Sequence, residues 1–222
     1  MKGILGLLRS RNPAGSPALA GGDTVDSVFF SNAFADQGVD ASKLVPWDAR
    51  AVEVGAKRLA PGRGVKQMQH LWARDKNMCT LEPERVAAME RFFQFASVPA
   101  GREVVRQDEY GNFMVVVLEG TVAVDRTQPW GERLRLAEAR PGDILGEMSL
   151  LDSGARFSDC TTLTDCDLAV LSAEALDEMM DTEPLTACHL VAVLARKLSL
   201  RLRMVSASLG ENQSQAVGQA IK

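Results

Sequence analysis

The residues of this chain whose types and spacing best suit chemistry lie between Pro141 and Ser172. Gly146 and Glu147 are adjacent, and Arg156 follows the glutamate by nine residues. A glycine that opens a short helical turn leaves the first backbone N–H groups, here those of Met148, Ser149 and Leu150, free to face an anion. An arginine contributes a planar fork of donors that grips an anion through two parallel, charge-assisted hydrogen bonds. The three could converge on one small anionic ligand. The alternative is a surface ion pair between Glu147 and Arg156, worth about 0–1 kcal/mol.

Other candidates for chemistry are thin. His70 and His189 are the only histidines and lie far apart in sequence. Cys188-His189 falls on an expected helix, where adjacent side chains diverge. Cys79, Cys160, Cys166 and Cys188 show no Cys-x-x-Cys spacing, which favours free thiols over zinc or disulfides. There is no Gly-rich phosphate loop and no nucleophile elbow. The sequence therefore predicts no enzyme and no metal site. Net charge is −4, which argues against nucleic acid as the main partner. The N-terminus imitates a secretion signal, but Arg9 and Arg11 interrupt the apolar run Ile4–Leu8. No stretch is apolar for long enough to span a bilayer, so the expected location is cytoplasmic.

The elements that must position these residues follow from pattern. Residues 1–24, rich in Gly, Ala, Pro and Ser, are expected to be mobile. The apolar clusters Val28-Phe29-Phe30, Phe34 and Val45-Pro46-Trp47 suggest short helices docked on the main domain. Pro61-Gly62-Arg63-Gly64 is a break, after which Val65–Lys76 reads as a helix. A second helix is expected from Thr80, with Glu82 and Glu84 in its first turn, to about Ser97. Short runs of β-branched and apolar residues then alternate with turn signals: 103–106, 113–119, 121–127, 132–138, 157–163 and 167–171. Ser172 caps a short helix. Pro184 opens a longer one with an apolar stripe through Leu190, Leu194, Leu198, Leu202, Val205 and Leu209, which Gly210 is expected to end.

This order resembles the cyclic nucleotide-binding domain family over roughly residues 85–209. The landmarks are Pro99-Ala100-Gly101, Gly111-Asn112, Leu118-Glu119-Gly120, Pro141-Gly142-Asp143, Gly146-Glu147 and Thr164-Asp165-Cys166-Asp167-Leu168. The resemblance implies a mainly β fold with flanking helices: an eight-stranded, jelly-roll-like β-roll with a phosphate-binding cassette, N-terminal helices and a long C-terminal helix. The expected domains are an N-terminal extension (1–75), a cyclic nucleotide-binding domain (76–209, roll about 95–172, helices 173–209) and a polar tail (210–222).

By the same resemblance the ligand is cyclic AMP or cyclic GMP. Gly146, Glu147, Met148, Ser149, Arg156, Phe157, Ser158 and Arg201 are the expected binding residues. Glu147 would accept the ribose 2′-hydroxyl and Arg156 would hold the exocyclic phosphate oxygens. Phe157 departs from the family, which commonly carries Ala, Ser or Thr there; it could line the ligand or turn into the roll core. Arg201-Leu202 replaces a Thr-Ser pair that faces adenine in the catabolite activator type. Arg201 could meet the purine, or belong to a solvated basic cluster with Arg196, Lys197 and Arg203.

The leading expectation is a cyclic nucleotide sensor that signals through an unidentified protein partner, with a possible homodimer along helix 184–209. A scaffold that keeps the roll without the ligand, or a sensor of another nucleotide such as a cyclic dinucleotide, is the alternative. The stretch after the long helix is too short for a helix-turn-helix, and with the acidic charge this sets the expectation of no direct DNA contact.

Overall fold

A computed structural model describes residues 28–76 and 82–220, with side-chain positions up to Ala207. The expected mobile stretch 1–24 and the expected helix start at Thr80 lie outside the described residues. Among the described residues are nine strands in two antiparallel sheets. In chain order they are β1 (Lys57–Arg58), β2 (Gln94–Val98), β3 (Glu103–Val105), β4 (Phe113–Glu119), β5 (Val122–Thr127), β6 (Arg133–Ala139), β7 (Ile144–Leu145), β8 (Asp159–Thr162) and β9 (Cys166–Ser172). One sheet runs β1-β2-β9-β4-β7 and the other β3-β8-β5-β6. The eight strands β2–β9 form the expected roll, and β1 adds a ninth from the preceding segment.

The alternation of β4 shows how the sequence builds two cores at once. Phe113, Val115 and Val117 face the space between the sheets, with Val98, Val104, Val122, Leu145, Leu168 and Val170. Met114, Val116 and Leu118 point the other way, into a helical layer. That layer comprises α1 (Phe29–Asp36), α3 (Pro61–Arg74), α4 (Pro83–Met89), α6 (Ala173–Thr182) and α7 (Pro184–Ala220). A strand buried on both faces must be apolar throughout, which is why β4 reads Phe-Met-Val-Val-Val-Leu before Glu119. Two further helices, α2 (Trp47–Glu53) and α5 (Glu147–Asp152), lie at the roll itself.

Several boundaries differ from the sequence reading. The helix expected to reach Ser97 ends at Met89, and a 3-10 turn (Glu90–Phe92) leads straight into β2. Within β2, Ala96 and Val98 are buried in the inter-sheet core, so pairing with β9 overrides the local helical pattern. The two-residue strand β7 was hidden because it is too short to show a period. Gly210 does not end the last helix, which continues to Ala220. A lone glycine costs a helix only about 1 kcal/mol, and no proline follows to stop it. The stripe on α7 is also divided: Leu190 and Leu194 are fully buried, whereas Leu202 and Val205 are exposed. The cap on α6 is as expected, with the Ala175 N–H donating to Ser172 Oγ at 3.2 Å.

The segment before the roll is fastened by specific contacts. The Asp177 carboxylate accepts from the Phe30 and Ser31 amides at 2.8 and 2.9 Å, capping the start of α1 from α6. Met68 and Trp72 of α3 are buried in the helical layer. Trp47 of α2 closes one end of the inter-sheet core, edge-on to Phe113 at 5.4 Å.

Candidate functional site

Pairing of β7 with β4 delivers Gly146 to the start of α5. Gly146 has φ +76°, and a Cβ there would lie 2.5 Å from Arg156 Nη1. Both the left-handed backbone and the close approach require glycine. Leu150, fully buried in the helical layer, anchors α5, and Ser153 ends it with φ +55°. The chain then turns through Gly154 and Ala155 to Arg156. The backbone of Arg156 is itself clamped: its N–H donates to Glu109 O at 2.7 Å, and its carbonyl accepts from the Asp108 N–H at 2.9 Å.

The Arg156 side chain is only 3% exposed. Its Nη1 donates to Gly146 O at 2.8 Å and its Nη2 to Phe113 O at 2.6 Å. The guanidinium carbon lies 4.6 Å from the centre of the Phe113 ring. A Cβ on Gly111 would come within 2.7 Å of Nη2, so this glycine also makes room for the fork. Burial lowers the Arg156 pKa from 12.5 to about 10, partly offset by the charges of Glu147 and Glu109. The group remains charged at neutral pH, yet among the described residues it makes no ion pair. A buried cation with only neutral partners is costly, and a bound anion would offset that cost.

The Glu147 carboxylate is 7% exposed and does not pair with Arg156. It accepts instead from Arg201 Nη1 of α7 at 2.7 Å. The structure thus pairs Glu147 with Arg201 rather than with Arg156, and Arg201 makes this pair from a half-exposed position on α7. Lys197, one turn earlier, also ties α7 to its surroundings, reaching Asp75 at 2.8 Å. Cys160, buried beside Arg156, has its thiol pushed up to about 12 by burial.

The family description "Cyclic nucleotide-binding domain" matches residues 95–183. The cyclic AMP receptor protein of Thermus thermophilus is 36% identical over 118 residues, 53% of this chain and 55% of that protein. The crystal structure of the Thermus thermophilus catabolite activator protein aligns with a TM-score of 0.52 at 33% identity, covering 60% of this chain and 63% of that one. Residues 95–183 of this chain thus match the cyclic nucleotide-binding domain family. A cyclic nucleotide-binding domain from Methylobacillus flagellatus shares the fold with a TM-score of 0.62 at 23% identity, covering 67% of this chain and 84% of that one. The chain spans about half the length of the curated relatives it matches.

Within this cyclic nucleotide-binding domain, the structure brings Gly146, Glu147, Arg156 and Arg201 together around the start of α5. Ser149 is buried, while Met148 is 38% exposed at the surface of that turn. The Leu150 N–H bonds back to Gly146 O at 3.4 Å, so it is not free for a ligand as the sequence suggested. Ser158 is partly buried and meets the Cys160 thiol. Phe157 does not turn into the core: it is 49% exposed, and its ring lies 3.9 Å from the Arg126 guanidinium carbon.

Residues that sequence reasoning missed surround the cassette. Arg50 of α2 is 1% exposed and pairs with Glu53 and Glu109. Arg106 joins the same two acids, to Glu53 at 2.6 Å and Glu109 at 2.8 Å. Glu109 is the residue whose carbonyl holds the Arg156 amide, so α2 is coupled to the cassette through one turn. The only signal was Trp47 in an apolar cluster; nothing marked Arg50 as buried.

Proposed function

We propose that this chain binds a cyclic nucleotide, cyclic AMP or cyclic GMP, at the start of α5 and serves as a regulatory protein. The observation that carries the reading is Arg156, a buried guanidinium among neutral partners beside a left-handed glycine and a carboxylate. In this reading the phosphate approaches Arg156 and the first amides of α5, while Glu147 accepts a ribose hydroxyl. Arg201, which already holds Glu147, connects ligand occupancy to α7. The relatives' names, which speak of cyclic AMP, support that ligand for the domain.

Output through a protein partner rather than DNA is favoured by the net charge of −4. The exposed residues Leu202, Met204 and Val205 on α7 support an association surface, including a homodimer. No helix among the described residues is long and apolar enough to cross a membrane, and a cytoplasmic regulator with no catalytic role fits. Titration calorimetry of the full chain with cyclic AMP, cyclic GMP and a cyclic dinucleotide tests the reading. Saturable binding of either mononucleotide is expected. Binding of the dinucleotide alone would reassign the ligand, and no binding at millimolar concentration would leave the roll as a scaffold.

A further inference from the structure

A second cation meets the cassette from the opposite sheet. Along β5, Val122 and Val124 turn toward the inter-sheet core, and alternation places Arg126 on that same face. Pairing of Asp125 with Asp159 sets Arg126 beside the residues that follow Arg156. Its Nη1 donates to Phe157 O at 2.6 Å, and its guanidinium carbon lies over the Phe157 ring, 3.9 Å from the ring centre. Asp108 and Asp159 line the same surface recess as Arg126. Neither reaches Arg126 within ion-pair distance, since the Asp159 carboxylate accepts from the Gln107 N–H at 2.7 Å and Asp108 from Gln107 Nε2 at 3.2 Å. Among the described residues, Arg126 has a carbonyl and a ring as partners and no carboxylate.

Resting on the cyclic nucleotide reading above, we infer that Arg126 is a second phosphate contact of this pocket, held in place by Phe157. Residue 157 is where the sequence departs from its relatives, and the stack gives that departure a purpose. The ring supplies no hydroxyl to the phosphate but orients a guanidinium that can donate in its stead. Stacking on an aromatic face leaves the in-plane N–H donors of an arginine free for an anion. The two arginines bracket residue 157, Arg156 from within the cassette and Arg126 from β5. A contact with the phosphate, rather than the base, also means that Arg126 does not choose between adenine and guanine.

The test is titration calorimetry of the full chain with cyclic AMP and cyclic GMP at low and moderate salt, for wild type, Arg126→Gln and Arg126→Lys. The Gln variant is expected to lose about ten- to hundredfold in affinity for both nucleotides, the range of a hydrogen bond to a charged group. Its affinity should also depend less on salt, because one screened charge is gone. The Lys variant, which keeps the charge without the planar fork, should lie between the two. Wild-type affinity and salt dependence in Arg126→Gln would overturn the inference and leave the cyclic nucleotide reading standing. So would a loss confined to one base. Absence of binding by wild type would remove both.

Discussion

Arg156→Ala should separate binding from folding. The side chain makes two hydrogen bonds to carbonyls, at 2.8 and 2.6 Å. Each such bond from a charged donor is worth about 1.5–3 kcal/mol. Against them stands the burial of the cation: a pKa lowered from 12.5 to about 10 corresponds to about 3 kcal/mol. The two effects largely cancel, so truncation should change unfolding free energy by about 2 kcal/mol or less. The effect on the ligand is one-sided, because the phosphate loses its principal cation; about 2–5 kcal/mol of binding free energy should vanish. At a ligand concentration a hundred times the wild-type Kd, linkage adds about 2.7 kcal/mol to the stability of wild type. For a protein of this size that raises Tm by about 5–10 °C. Differential scanning calorimetry with and without cyclic AMP reads both quantities together. The expected pattern is two similar ligand-free transitions, with a ligand-induced rise of about 5–10 °C in wild type and of about 3 °C or less in the variant. The reasoning is refuted if the variant responds to cyclic AMP as wild type does.

Arg201→Gln removes the cation from a carboxylate that is 7% exposed, but Arg201 itself is half exposed, so stability should fall by only about 1 kcal/mol. Because the phosphate grip does not use Arg201, cyclic nucleotide binding should persist; its complete loss would move the principal ligand contact onto α7. Trp47→Ala empties the end of the inter-sheet core and should cost about 3–5 kcal/mol in urea unfolding. A loss below about 1 kcal/mol would mean that α2 does not close the roll. Cys160 ties stability to alkaline pH. Its thiol has a pKa of about 12 in the fold against 9.0 for the free group, so the unfolded chain releases that proton first. This contribution is intact below pH 9, declines as pH rises through 9, and is gone near 12, with a slope of up to about 1.4 kcal/mol per pH unit. Unfolding of Cys160→Ala should lose that part of the slope, and an unchanged slope would count against a buried thiol.

The parts legible in the sequence were those with strong local chemistry. Gly146, Glu147 and Arg156 were visible through the ordered landmarks around them, which resemble the family's; by themselves a Glu and an Arg at that spacing read as a surface pair. The strands β4 and β5 stood out by valine-rich runs between glycines, and β6 by its alternation of arginine and leucine. What stayed hidden depends on long-range packing. Gln94–Val98 follows directly on a helical pattern, and only pairing with β9 makes it a strand. The burial of Arg50 and its bonds to Glu53 and Glu109 bring together residues 59 positions apart. The Glu147–Arg201 pair spans 54 positions, so spacing alone offered Arg201 only a general basic character. Phe157 was noticed as a departure, but its orientation is set by Arg126 on another strand.

The central claim is that this roll grips a cyclic phosphate through Arg156 and a ribose hydroxyl through Glu147. Titration calorimetry of the full chain with cyclic AMP and 2′-deoxy cyclic AMP, run side by side, tests it most directly. The account predicts one site per chain for cyclic AMP and binding weaker by about tenfold or more for the deoxy analogue, the cost of losing one hydrogen bond to a charged acceptor. Equal affinity for the two would contradict the role of Glu147, and no heat with either at millimolar concentration would contradict the account as a whole.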